Sequence, residues 1–227
     1  MENEAQKAIE ECPYGISSWP DMGQNIIRQM AYSKMTKLGC AYKVCGNYLT
    51  MTCLYNGISS LARGLEDDPL IGKAPKASRM LKMIYDCDVE ASAIKHAQKC
   101  IFEHSDSSDR YGLGENLFMT TARNYDKTKA GVQASQSWWS ELKKYGVGEE
   151  NKLTMDLFNR GVGHYTQMAW EESYKLGCAV MHCSDMTLVV CQYGPAGNML
   201  NQQIYTKGEP CADCTTTCST DEGLCLA

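Results

Sequence analysis

The chain has 227 residues, 44% hydrophobic and 22% charged, with a net charge of −5. That length allows one domain with a real core, or one domain and an attached piece. The acidic balance lacks the basic face that nucleic-acid binding requires.

The chain opens MENEAQKAIEEC, which is polar and acidic rather than basic and then apolar, so it reads as a mature or trimmed form or an incomplete gene product. Residues 1–28 show little periodicity and read as a loop-rich arm. Residues 29–56 hold a first cysteine phrase. Residues 57–77 begin with a short helical fragment and continue as a Pro/Gly loop. The spacing of Leu81, Ile84, Ala91, Ile94 and Ala97 predicts a helix from Ser78, its cap, to about Cys100. Residues 103–114 read as a loop. A second helix is predicted over Lys127–Tyr145, with Asp126 as N-cap, a buried stripe of Val132, Ser135, Trp139 and Leu142, and Gly146 as its end. Residues 176–183 and 187–193 read as two strands around a Ser184-Asp185 turn. The tail after Tyr205 is short, polar and dense in cysteine. Helices and strands mix without βαβ alternation, so the predicted class is α+β with helices flanking an antiparallel sheet. No run of about 18 apolar residues predicts a membrane span.

Thirteen cysteines against four histidines favour a disulfide framework, and hence a secreted, extracellular protein. The odd count leaves a thiol free or bonded outside the chain, so a disulfide-linked homodimer stays open. Two cysteine phrases repeat. Gln29–Tyr55 lies on Gln167–Tyr193 at a constant offset of 138 with no gap, and eleven of 27 positions match: Gln29, Met30, Ala31, Lys37, Leu38, Gly39, Cys40, Ala41, Cys45, Cys53 and Tyr55. Chance gives roughly one or two. A span of this size occurring twice is a duplicated hairpin, not a solenoid.

Two loops carry residue types suited to chemistry. FEHSDSSDRYGLGENLF sets His104 eleven residues before Glu115, and GVGHYTQMAW sets His164 after glycines and before a β-prone run. Glu141 lies on the second predicted helix, one turn from Trp138 and off its most exposed face. Imidazoles bind Zn²⁺ or Cu²⁺, and carboxylates orient them by accepting the second ring N–H. Read from the residues alone, a solvated or structural role for these four side chains is the simpler account. His96 and His182 read as surface or core-edge residues, and the Trp138-Trp139 pair as packing.

The stretches GHYTQMAWEES, GENL and LVVCQYGPAGNM resemble signatures of the CAP superfamily: cysteine-rich secretory proteins, insect antigen 5 and plant pathogenesis-related proteins. The text around them, including ASQSWWSELKKYGVGEENKLT and YTKGEPCADC, is most similar to the nematode branch, the activation-associated secreted or venom-allergen-like proteins. The resemblance covers about Ser60 to Cys225. It implies an α-β-α sandwich with a three-stranded antiparallel sheet and a disulfide-rich C-terminal tail. It places the family's cavity tetrad on His104, Glu115, Glu141 and His164, with His104 and His164 as zinc ligands and the glutamates as their partners. It further implies a Cys178–Cys191 disulfide, and through the repeat a Cys40–Cys53 counterpart, leaving Cys45 as the free-thiol candidate. For Cys211 and Cys214, a disulfide knot is favoured over a zinc site.

One departure stands out. SSLARGLEDDP resembles the end of the family's first helix, but the His-Asn-x-x-Arg text at its beginning is absent, and the repeat copy ending CLYNG stands there instead. The chain accordingly divides into residues 1–57, a remnant of a preceding CAP domain, 58–205, a CAP domain, and 206–227, a cysteine-rich tail. Ile26 holds the place of His164 in the remnant, so it brings no second site. By resemblance, the protein binds lipid, sterol or host proteins and modulates a host response. The alternative is a metal-dependent hydrolase using the His/Glu cavity, although no committed catalytic motif is present; a purely structural or antigenic protein is a third reading. Transcript sequence is expected to show an exon junction near residues 54–60, and a continuous exon across that stretch overturns the remnant account.

Overall fold

The sheet is organised around a strand that is buried along its whole length. In this computed structural model, which describes residues 38–45 and 48–227 with side chains from Gly57 onward, strand β8 (Thr187–Gly194) is buried at all eight positions. Its run TLVVCQYG has helices over both faces, which is why it lacks the apolar/polar alternation of a half-exposed strand. β8 pairs antiparallel with β7 (Lys175–His182) on one side and with β6 (Gly114–Thr120) on the other. Two-residue strands β3 (Asp67–Asp68) and β4 (Gly72–Lys73) form a separate antiparallel pair, and another, β5 (Ile84–Tyr85), adds in parallel to β7, giving the order β5-β7-β8-β6. The predicted three-stranded antiparallel sheet is therefore present, with one short parallel strand added.

Helix α2 (Cys87–Ala97) covers one face, and its Ala93 and Ala97 pack with Leu117, Ala179, Leu188 and Val190. Helices α1 (Asn56–Ala62), α3 (Lys127–Tyr145) and α5 (Gly163–Met168) contribute Leu61, Ala134, Trp138, Leu142 and Tyr165 to the core containing Val189, Cys191 and Tyr193. Alternate residues of β8 thus feed two separate cores, and the fold is the expected α-β-α sandwich. Each fully buried Leu or Val contributes about 1.5–3 kcal/mol.

The second predicted helix is observed with its predicted ends. Asp126 accepts a hydrogen bond from the Lys129 N–H at 2.8 Å, and the Gly146 N–H donates to the Leu142 carbonyl at 2.8 Å. Gly146 has φ +72°, and a Cβ there would stand 2.5 Å from Leu70. The buried stripe differs. It is Ala130, Ala134, Trp138 and Leu142, a strict i, i+4 row, while Val132, Ser135 and Trp139 are half-buried.

The first predicted helix starts late. It begins at Cys87, where Asp86 accepts from the N–H groups of Asp88 and Val89; Ser78 is no cap. Residues 80–86 are instead claimed by distant strands. Lys82 N–H donates to the Cys225 carbonyl and Cys225 N–H to the Met80 carbonyl, both at 2.8 Å, and Asp86 N–H reaches the Leu176 carbonyl. Tertiary pairing overrides helical periodicity here. GVGHYTQMAW corrects a further expectation: His164 lies on α5, preceded by a short helix α4 (Met155–Leu157) and a π turn over Phe158–Val162.

The two hairpins of the repeat share one register. β1 (Leu38–Cys45) and β2 (Tyr48–Tyr55) set Leu38 opposite Tyr55 and Cys40 opposite Cys53. β7 and β8 set Leu176 opposite Tyr193 and Cys178 opposite Cys191. β2 runs directly into α1. At seven residues α1 is too short to hold itself, and it is kept by the burial of Ile58, Leu61 and Ala62.

Disulfides join Cys178 to Cys191, Cys100 to Cys183, Cys211 to Cys218 and Cys214 to Cys225. The close grouping of Cys211, Cys214 and Cys218 is accounted for by this knot rather than by a zinc site. Cys87 is also disulfide-bonded, to a partner outside the described side chains. The Cys40–Cys53 pairing, the free-thiol assignment of Cys45 and the arm 1–28 likewise fall outside them. Strands β9 (Cys218–Ser219) and β10 (Leu224–Cys225) fold the tail back on the domain, where Ser59 Oγ donates to the Glu222 carbonyl at 2.7 Å.

α2 approaches β7 so closely that a Cβ on Gly177 would stand 2.1 Å from the Glu90 backbone nitrogen. Gly177→Ala is expected to cost about 1–3 kcal/mol or more in urea unfolding, because the obstacle is backbone; an unchanged midpoint would contradict this packing.

Candidate functional site

β6 is the outer strand of the sheet, and the four predicted side chains form two His/Glu pairs held from it, His104 with Glu115 and His164 with Glu141. The register sets Glu115 opposite Gln192. The Glu115 side chain is fully buried, on the same face as Leu117. Its four acceptor sites are filled: Oε1 accepts from the Ser105 N–H (2.9 Å) and His104 Nδ1 (3.0 Å), and Oε2 from Ser105 Oγ (2.8 Å) and Gln192 Nε2 (2.8 Å). Arg110 Nε stands 3.8 Å from Oε1. Burial alone would push this carboxyl up, but the hydrogen bonds from His104, Gln192 and Ser105 outweigh it and pull it from 4.5 down to about 2.

The second pair hangs from the neighbouring residue. Asn116, on the opposite face of β6, donates from Nδ2 to the His164 carbonyl at 3.0 Å and so fixes the start of α5 against the strand. His164 Nδ1 lies 2.6 Å from Glu141 Oε1, and Glu141 Oε2 accepts from the Tyr165 N–H at 2.9 Å. The Trp138 ring stacks on His164, with centroids 5.9 Å apart and planes at 13°. Its indole N–H donates to the Leu117 carbonyl at 3.1 Å. Three consecutive residues of one edge strand therefore hold both pairs.

The geometry of the pairs is the same. Each imidazole has Nδ1 on a carboxylate, which fixes the N–H on Nδ1 and leaves the Nε2 lone pair free. His104 and His164 are 58% and 39% exposed, while Glu115 and Glu141 are 0% and 14% exposed. Carboxylates more buried than the rings thus orient two partly exposed imidazoles, a donor type suited to a divalent cation. Glu141 is off the exposed face, as its spacing predicts.

Ser105, Gln192, Asn116 and the stacking role of Trp138 escape the sequence reading. Pairing GENL with VVCQYG in register would have exposed Gln192, since those two stretches were both visible. His96 is buried, with Nε2 at the Glu103 carbonyl (2.8 Å), and the exposed His182 reaches the Tyr125 carbonyl (2.8 Å); neither belongs to the tetrad.

The family model of the cysteine-rich secretory proteins (CAP) matches residues 62–193. The chain belongs to the CAP family. Among curated proteins it is 45% identical to the Ancylostoma secreted protein of Ancylostoma caninum over 272 aligned positions, covering 87% of this chain and 64% of that protein. It is 40% identical to human cysteine-rich secretory protein 2 over 163 positions, covering 67% of this chain and 62% of the relative. The chain thus spans a little under two thirds of the length of these relatives. Since 272 aligned positions exceed the chain's 227 residues, the Ancylostoma alignment carries gaps opposite it. Among solved structures, NaASP2 with Zn²⁺ is 54% identical with a TM-score of 0.72, covering 75% of this chain and 90% of that one. Na-ASP-1 is 43% identical with a TM-score of 0.73, covering 91% and 70%. The CAP fold, the Cys178–Cys191 disulfide and the likeness to nematode secreted proteins match the resemblance read from the sequence.

Glu115 supplies a pH test. Its folded value lies below its unfolded one, so its contribution is present above pH 4.5 and lost as pH falls towards about 2. Across that window thermal or urea unfolding should show a loss of up to about 3 kcal/mol. Glu115→Gln should be less stable at neutral pH and show a flatter acid limb; an identical acid limb would place the effect elsewhere.

Proposed function

We propose that this chain is a secreted, extracellular binding protein whose His104/Glu115/Glu141/His164 cavity holds a divalent metal, zinc foremost, rather than a hydrolase. The observation that carries the reading is the matched pair of partly exposed histidines, each with Nδ1 engaged by a glutamate more buried than itself, which turns Nε2 away from that carboxylate. His104 and His164 would be the protein ligands, and Glu115 and Glu141 their orienting partners. The NaASP2 structure with Zn²⁺, at 54% identity, supports zinc as the ion. A bound zinc would supply a Lewis-acid centre; two protein ligands leave positions for water, so affinity is modest and falls as the imidazoles protonate. The disulfides and the secreted relatives support the extracellular assignment. The partner class remains that of the resemblance, lipid, sterol or host protein. No helix among the described residues is long and apolar enough to cross a membrane.

The hydrolase reading has one support, that zinc with a neighbouring glutamate activates water. A peptidase screen with equal turnover by wild type and His164→Ala removes it.

The remnant account of residues 1–57 belongs to the same reading. It is supported by the common register of the two hairpins and by the gaps in the Ancylostoma alignment.

Calorimetric titration of Zn²⁺ at pH 7 should give one site in wild type, at least tenfold weaker in His104→Ala and in His164→Ala. Equal binding by all three overturns the site. Displacement of a fluorescent sterol at micromolar protein tests the lipid arm, and no displacement sinks it.

A further inference from the structure

α2 carries an imidazole that the tetrad does not use. His96 is 5% exposed, and its Nε2 lies 2.8 Å from the Glu103 carbonyl oxygen. A carbonyl only accepts, so Nε2 carries the proton and the neutral ring presents Nδ1 as an acceptor. No protein group pairs with that Nδ1. One other buried side-chain atom among the described residues shares this condition: Oε1 of Gln192, in a residue 1% exposed. It is an acceptor too. Both residues line the same small cavity of about 10 Å³, room for a single water.

The two atoms cannot satisfy each other, because neither has a hydrogen to give. A water has two. Ser92, Lys95, Lys99, Ser105 and Asp109 complete the lining; Ser105 Oγ donates to Glu115 at 2.8 Å and Lys99 Nζ gives one of its three hydrogens to Asp109 at 2.8 Å, and none of the five hydrogen-bonds to His96 Nδ1 or Gln192 Oε1. What depends on the match is the direction of the Gln192 amide. Its Nε2 donates to Glu115 Oε2 at 2.8 Å. Turned over, the amide would bring Oε1 against the carboxylate, acceptor against acceptor, and remove one of the four donors that keep Glu115 satisfied in the interior.

We propose that one buried water donates one hydrogen to His96 Nδ1 and the other to Gln192 Oε1, and that His96 is thereby a positioning residue for the cavity. It acts through the water on Gln192, through Gln192 on Glu115, and through Glu115 on the orientation of His104. The water site stands on its own geometry; the effect on metal affinity rests on the zinc reading above.

A crystal structure of the full chain, at a resolution that places ordered solvent, is expected to show one water within hydrogen-bond distance of both atoms. A direct His96–Gln192 hydrogen bond, or a cavity without solvent density, overturns the proposal. The positioning role is read by a double-mutant cycle on Zn²⁺ affinity with His96→Leu, Gln192→Leu and the pair. Each single variant should bind about tenfold more weakly, and the double no more weakly than Gln192→Leu alone. Additive losses mean that His96 acts only by holding the Glu103 carbonyl, which sinks the positioning role. His96→Asn replaces the leucine variant where the latter does not fold. If wild type takes no zinc, the metal reading fails, while the ordered water and the same cycle on thermal unfolding still decide this inference.

Discussion

The pairing of β6 with β8 is the constraint on which the rest of the site depends. Glu115 is a charged side chain with no exposed surface, and an ionised carboxylate is expensive to bury unless its acceptor sites are filled. The register supplies Gln192 from the partner strand, and the loop before β6 supplies both polar groups of Ser105. Only then is the fourth acceptor site left for His104. A slip of one residue would turn Glu115 to the opposite face and Asn116 into its place, separating the carboxylate from Gln192 and releasing α5 from the strand. The two His/Glu pairs therefore depend on strand register before they depend on helix packing.

This order of causes explains which parts were legible in the sequence. α3 could be read from its own residues because its signals are local: an aspartate at the N-cap, a glycine at the stop, nineteen residues of helical text between. Of its expected stripe only Leu142 is buried: two tryptophans stand side by side, and only packing decides that Trp138 is the buried one. α2 was extended too far back because residues 80–86 carry helical spacing but are paired with residues near Cys225 and with β7, and no local pattern announces a partner 140 residues away. The four members of the tetrad came from resemblance. The groups that hold the two His/Glu pairs in place, Ser105, Gln192 and Asn116, were not found, since a neutral side chain acquires its role only once the strands are in register.

The disulfides follow the same division. Cys178–Cys191 staples two strands already opposed, and its 13-residue separation adds little closure that the turn has not imposed. Cys100–Cys183 spans 83 residues and ties the end of α2 to the far end of the β7–β8 hairpin, so it constrains a larger loop in the unfolded chain. The tail's two bridges hold β9 and β10 where Cys225 pairs with Met80 and Lys82. In this way the cysteine-rich end stabilises the same segment that the periodicity misread.

The duplicated phrase can be weighed in these terms. A hairpin with a direct cross-strand cysteine register is specified locally, so a second copy can keep its register wherever it sits. What it cannot keep is the chemistry, because every functional group of the β7–β8 copy depends on neighbours from elsewhere. Gln192 needs Glu115 on β6, Cys183 needs Cys100 beyond α2, and Tyr193 needs Asn116. At the corresponding positions of the first copy stand Leu54, Cys45 and Tyr55, and Ile26 replaces His164. The first copy thus keeps the hairpin register, with Cys45 and Tyr55 unchanged, but its Leu54 offers no amide for a carboxylate such as Glu115 and its Ile26 no imidazole.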